Sequence, residues 1–177
     1  HEPTFGKRYL FGEIERREVA MQTRIDWTFS PTLTLQVFTQ TLLASGDYIR
    51  YGQLAEPSTF RFDHFKEGEV LDYGGTRACV GGRTCETQDH IRHFDFDGDG
   101  ISDYSFRDLD FTVRSLIGNA VLRWEFRPGS HIFLVWQRQQ ATREAVGSFS
   151  LGRDASRLLS GPAEDVFMLK ADFWLDL

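Results

Sequence analysis

Between Asp95 and Asp103 the chain reads D-F-D-G-D-G-I-S-D, a spacing that can gather hard oxygen ligands around a divalent cation. Asp95, Asp97 and Asp99 alternate with other residues in a D-x-D-x-D-G pattern, and Gly100 stands where such a loop must turn sharply. Ile101 follows with its backbone carbonyl, and Asp103 adds a fourth carboxylate. Ca²⁺ takes about six to eight oxygens, and this spacing directs alternate carboxylates to one side. Where the familiar pattern ends in Glu this chain has Phe106, so Asp108, or else Asp110, is expected to supply the missing ligand. The expected ion is structural, because a long exposed loop buries too little apolar surface to offset its own ordering entropy. The alternative is a solvated acidic turn. Phe94, Phe96, Tyr104 and Phe106 flank the motif and are expected to pack beneath it.

Cys79 and Cys85 enclose V-G-G-R-T in a glycine-rich stretch and read as a local disulfide. A zinc site with His90 and His93 is one competing reading, whose ligand types are suitable but whose spacing is unlike that of zinc fingers, and free thiols are the other. For catalysis the sequence offers little: no G-x-S-x-G, no H-E-x-x-H and no phosphate-cradling glycine loop. His64, His90 and His131 read as surface or interface residues.

The elements that position these groups follow from composition and period. A net charge of −6 excludes the basic face that nucleic acid requires. Aromatic residues make up 14% of the 177, a share that suits pleated sheet. No apolar run approaches the length of a membrane-spanning helix, which leaves membrane-spanning strands open, since alternation hides them from hydropathy averaging. No leader peptide is visible, and a chain beginning at His1 is expected to be a processed product or a fragment.

Val19, Met21, Ile25, Trp27 and Phe29 alternate with Gln22, Arg24, Asp26 and Thr28. Ser30-Pro31-Thr32 turns the chain, and Leu33, Leu35, Val37 and Leu43 return against Thr34, Gln36 and Gln40. The pattern recurs in Ala120, Leu122, Trp124 and Phe126, then, past Arg127-Pro128-Gly129-Ser130, in Ile132, Leu134 and Trp136. It closes with Phe167 to Leu177, and a further strand is expected over Arg8 to Ile14. A phase change upstream of Asn119 predicts a bulge near Gly118.

Two connections are only a few residues long, while residues 44–107 and about 142–163 form long ones. Outer-membrane barrels have short periplasmic turns and long outer loops, and counting strands back from the C-terminus puts both short turns on one side. Trp27, Phe29, Trp124, Phe126, Phe173 and Trp174 would then form an aromatic girdle at that interface. The polar set Gln22, Arg24, Asp26, Gln36, Arg123 and Glu125 would line the lumen. The expected fold is an all-β antiparallel meander of about six long strands, the C-terminal part of a transmembrane barrel interrupted by a long extracellular loop. Six strands are too few to close a membrane barrel, so upstream strands of the same protein or other subunits are expected partners.

V-R-S-L-I-G-N-A-V-L-R-W-E-F-R-P-G-S-H-I-F-L-V-W-Q at 113–137 resembles the C-terminal barrel domain of bacterial secreted proteins that begin with a family 9 carbohydrate-binding-like module. R-I-D-W-T-F-S-P-T-L-T-L-Q-V-F at 24–38, A-S-G-D-Y at 44–48 and F-M-L-K-A-D-F-W-L at 167–175 share the likeness. The resemblance implies a surface-exposed outer-membrane protein associated with carbohydrate binding, and no established activity. The expected role is therefore a non-enzymatic anchor, scaffold or conduit in contact with outer-membrane lipid. The alternatives are a soluble, secreted, calcium-stabilised β-sandwich acting in adhesion or glycan binding, and a surface glycoside hydrolase component.

Overall fold

Alternating residues place apolar and polar side chains on opposite faces of a pleated strand, and such strands gain by lying edge to edge. The computed structural model, which describes residues 6–74 and 76–175, is mostly antiparallel β with one helix. In chain order its elements are β1 (Leu10–Ser30), β2 (Leu33–Leu54), β3 (Phe62–His64), β4 (Glu69–Tyr73), β5 (Thr76–Val80) and β6 (Thr84–Glu86). Then follow β7 (Ile91–Phe94), β8 (Tyr104–Arg107), β9 (Phe111–Arg127), β10 (Ser130–Glu144), α1 (Leu151–Ser160) and β11 (Glu164–Asp172).

The long strands bond in the order β1-β2-β9-β10-β11, with β3 paired to the end of β2. There are thus five long strands where about six were expected. Arg8 to Ile14 does not form a strand of its own: no turn residue separates it from Val19, and the two stretches run together as the 21-residue β1. Among the described residues no sixth long strand closes β1 onto β11. The expected bulge near Gly118 is absent from the β9–β10 ladder, where Gly118 pairs with Arg138 in unbroken register. The irregularity lies instead between Ser130 and His131, beside the turn. Upstream of Gly118 the face changes character without changing phase, because buried Thr112 and Arg114 occupy positions that Ala120 and Leu122 hold further along. Asp176 and Leu177, the end of the last expected strand, lie outside the described residues.

By their internal contacts the residues fall into two units. The first takes in residues up to 16, 46–111 and 145–147. Much of the expected loop at 44–107 is therefore folded structure: β2 continues to Leu54, β4 pairs with β5, and β6, β7 and β8 form a three-stranded sheet. Its core is Tyr51, Phe65 and Phe94, with Leu10, Tyr48, Phe96 and Phe106 packed against them. The rings meet edge-on and stacked, with Phe94 5.4 Å from both Tyr51 and Phe106. Beside them Arg92 donates to Glu67, Glu86 and Asp108, each at 2.8 Å. Burial pushes the Glu67 carboxyl up despite its contact with Arg92.

The second unit takes in 17–45, 112–144 and 148 onward. Here the stretch expected to be an open loop after β10 contains α1. Asp154, on the first turn of α1, is fully buried and accepts hydrogen bonds from Arg114 Nη2 at 2.9 Å and from the Ser150 backbone N–H at 2.7 Å. Arg114 also pairs with Glu144 at 2.9 Å, and Gln140 Nε2 donates to the Gly161 carbonyl where the helix ends. Burial raises the Asp154 carboxyl, but the Ser150 N–H and the guanidinium groups of Arg153 and Arg114 outweigh it and hold it below its usual range. The hydrogen bond from Arg114 likewise lowers Glu144.

A carboxylate whose folded pKa is depressed contributes stability above its unfolded value of about 4, and that stability is lost as pH falls through the folded value. The α1 segment is therefore expected to become protease-sensitive as pH drops below about 4, and Asp154→Asn to cost about 3 kcal/mol at neutral pH by removing the buried one of Arg114's two charge partners. Urea unfolding with limited proteolysis across 145–163 measures both; an Asn variant as stable as the parent at pH 7 would contradict the assignment.

Candidate functional site

The acidic loop is held by the antiparallel pair β7–β8, which it connects. The Asp103 N–H donates to the Phe94 carbonyl at 2.8 Å and shuts the loop's base. Asp95 is almost fully buried there, and its two carboxylate oxygens accept from the N–H groups of Gly98 at 2.6 Å and Gly100 at 2.8 Å. Gly100 has φ +90°, a backbone state a side chain would strain, and this allows its N–H to turn back on Asp95. Asp97 accepts from the Asp99 N–H, and Asp99 from that of Ile101.

Oxygens of Asp95, Asp97 and Asp99 lie within 4.8 Å of one another. Calcium–oxygen distances of about 2.4 Å place ligands on opposite sides of the ion about 4.8 Å apart, so the three fit one coordination sphere. Each oxygen that accepts a backbone N–H retains a lone pair, and Asp97 and Asp99 are exposed.

The remaining carboxylates expected as ligands do not join this cluster. Asp103 accepts from the Phe96 N–H at 2.6 Å and braces the loop from within. Ile101 has its N–H committed to Asp99 and forms an isolated bridge with Ala78. Asp108 is elsewhere: it is buried, accepting from Arg92 at 2.8 Å and from the Tyr51 hydroxyl at 3.2 Å. The reason is geometric, since β8 intervenes and carries the chain about 13 Å away from the loop at ~3.3 Å per residue. Asp110, the other candidate, accepts from the Tyr48 N–H at 2.7 Å. The aromatic floor is as expected, with Phe94, Phe96, Tyr104 and Phe106 in ring contact.

Cys79 and Cys85 form the disulfide, with Sγ atoms 2.00 Å apart. It joins β5 of the two-stranded sheet to β6 of the three-stranded one. With both thiols in the disulfide, the zinc set loses its thiolates; His90 Nδ1 contacts Glu86 and His93 Nδ1 contacts Ser102. Burial and nearby Arg77 push the His93 imidazole down, keeping it neutral.

The second feature is the long sheet itself. Register across β9, β10 and β11 aligns Ala120 with Trp136 and Phe167, Leu122 with Leu134 and Leu169, and Trp124 with Ile132 and Ala171. These rows form an apolar field, and no layer of the described residues covers it: Leu134 is 46% exposed and Leu169 74%. On β1, Val19, Met21, Ile25, Trp27 and Phe29 are all exposed too. One row further from the turn, the aligned residues become Gly118, Arg138 and Asp165, with Arg138 3.5 Å from Asp165. Beyond that come Gln140 opposite Leu116 and Arg114 opposite Thr142, and it is this more polar end that α1 covers.

On the other face, Arg24, Asp26, Gln36, Phe38, Asn119 and Val121 line one shallow depression, and Arg24 donates to Asp26 at 3.2 Å. Arg123 and Glu125 share this face with His131, which Arg123 contacts at 2.7 Å. Gln22 is exposed on the same alternation. The expected polar set therefore does share a face, though Phe133 belongs to it as well, beneath the Lys170 ammonium. Sequence reasoning missed the Arg92 cluster and α1. The helix had a signal in Ser150 before it and Gly161-Pro162 after it.

Compared with known proteins, the chain matches no family model, no curated protein and no solved structure.

Reducing the disulfide, or replacing both cysteines by serine, is expected to cost the first unit about 2 kcal/mol, the chain-entropy value for so small a loop. Urea midpoints with and without reductant measure it; identical midpoints would show the bond to be idle.

Proposed function

We propose that this chain is a non-enzymatic part of a bacterial outer-membrane β-barrel, serving as anchor, scaffold or conduit. The observation that carries the reading is the distribution of cover on one sheet face: α1 lies over the polar rows and leaves the apolar rows bare. Water would favour the reverse, since burying apolar area is worth about 25 cal/mol per Å² and burying polar groups costs free energy. Acyl chains supply the missing cover. Val19 to Phe29 spans about 33 Å of strand, which at a tilt near 45° matches a hydrocarbon band roughly 25 Å tall.

Trp27, Phe29, Trp124, Phe126, Phe173 and Trp174 sit toward the short-turn end and form the periplasmic girdle in this reading. The face bearing Arg24, Asp26, Gln36, Arg123 and Glu125 looks into a hydrated lumen. The first unit, with its disulfide, stands outside the cell, where Asp95, Asp97 and Asp99 hold a structural Ca²⁺ whose remaining ligands are water or backbone oxygen. The likeness to barrels that follow a carbohydrate-binding-like module points to display of a glycan-binding partner domain.

Two measurements test this. In lipid vesicles, tryptophan emission is expected to be quenched more strongly by brominated acyl chains than by aqueous iodide, and Leu134→Lys to destabilise the inserted protein by about 2–4 kcal/mol. A chain that stays monomeric in buffer without detergent, with iodide-accessible tryptophans, would refute the membrane assignment. Calorimetric titration with Ca²⁺ is expected to give binding heat that Asp97→Ala abolishes; heat of dilution alone would remove the ion from the account.

A further inference from the structure

The direction of the two edge strands restricts what can complete the sheet. β1 and β2 are joined by the two-residue turn at Pro31 and Thr32, which requires an antiparallel pair. Between β2 and β9, Thr32 bonds to Glu125 while Thr39 lies against Gly118, so those strands are antiparallel as well. The β9–β10 and β10–β11 pairs are antiparallel by register. Five strands in unbroken antiparallel order leave β1 and β11 running the same way, both toward the short-turn side.

From this, and resting on the membrane reading above, we infer that the sheet is closed by an odd number of further antiparallel strands, three in the smallest case, from polypeptide preceding these residues. Each edge needs an antiparallel neighbour, so the first and last added strands must both run opposite to β1 and β11, which only an odd number satisfies. One added strand would give six in all, below the roughly eight that close the smallest membrane barrels; three give eight.

Copies of this chain do not meet the requirement. Copies inserted in one orientation would present β11 to β1, or either edge to its equivalent, always running in parallel, whereas outer-membrane barrels are antiparallel throughout. Leaving the edges open is worse, since each unpaired backbone group in hydrocarbon costs several kcal/mol. The location of the added strands follows from transit. β1 is entered from the long-loop side, and a chain delivered from the periplasm reaches that side only after an odd number of crossings. Strands placed after β11 would instead leave both chain ends outside the cell.

The test uses the full gene product in its native outer membrane, with a photo-crosslinking amino acid at Gln22 on β1 or at Lys170 on β11, both on the polar face away from the apolar field. Crosslinked protein is expected to run at the mass of one polypeptide, and peptide mapping to join β1 and β11 to two different strands that both precede residue 1. A band of twice the mass, a direct β1–β11 adduct, an adduct to another protein, or adducts to lipid alone would each overturn the inference. If brominated lipid still quenches the tryptophans in those cases, the membrane reading survives and only the closure is wrong. Loss of both signals removes the two together.

Discussion

Every long strand here depends on the pairing of backbone N–H and C=O groups by a neighbouring strand. In water a strand edge can be solvated; in hydrocarbon it cannot, and the closed antiparallel ladder is the one sheet arrangement that leaves no group orphaned. That constraint fixes the order of importance of what surrounds it. Side-chain alternation follows from the pleat, the apolar field follows from alternation, and the short turns follow from antiparallel succession. The charges of Arg138, Asp165 and Arg114 mark where the apolar rows end.

The polar interactions are distributed accordingly. Arg92 and Arg114 are each nearly buried and each satisfied by several carboxylates. Arg114 lies beyond the bare apolar rows of its own unit, beneath α1, and Arg92 lies beside the aromatic core of the other unit. A buried guanidinium contributes little net stability by itself, but removing one partner is expensive, so such clusters enforce one arrangement over its alternatives. In the first unit that arrangement lies beside a small aromatic core, and the disulfide ties β5 of one sheet to β6 of the next.

Much of this was legible in period and spacing. Val19–Phe29 and Ala120–Phe126 reveal their strands because alternation is a local property, and Cys79 and Cys85 reveal their bond because only a short loop separates them. The expected sixth strand failed because period alone does not say where a strand stops; Arg8–Ile14 and Val19–Phe29 are continuous, and only a turn residue would have divided them. Asp108 was assigned by counting along the chain, whereas β8 carries it away from the loop and Arg92 offers it a closer charge. Arg114–Asp154 is a contact across forty residues, and no local pattern records such a pairing.

β11 carries a consequence of its own. Val166, Phe167, Met168 and Leu169 are exposed on both faces, on a strand with one open side. Four such residues in succession make a sticky template for fibrillar self-association. In water, overproduction is expected to yield aggregates seeded at this strand.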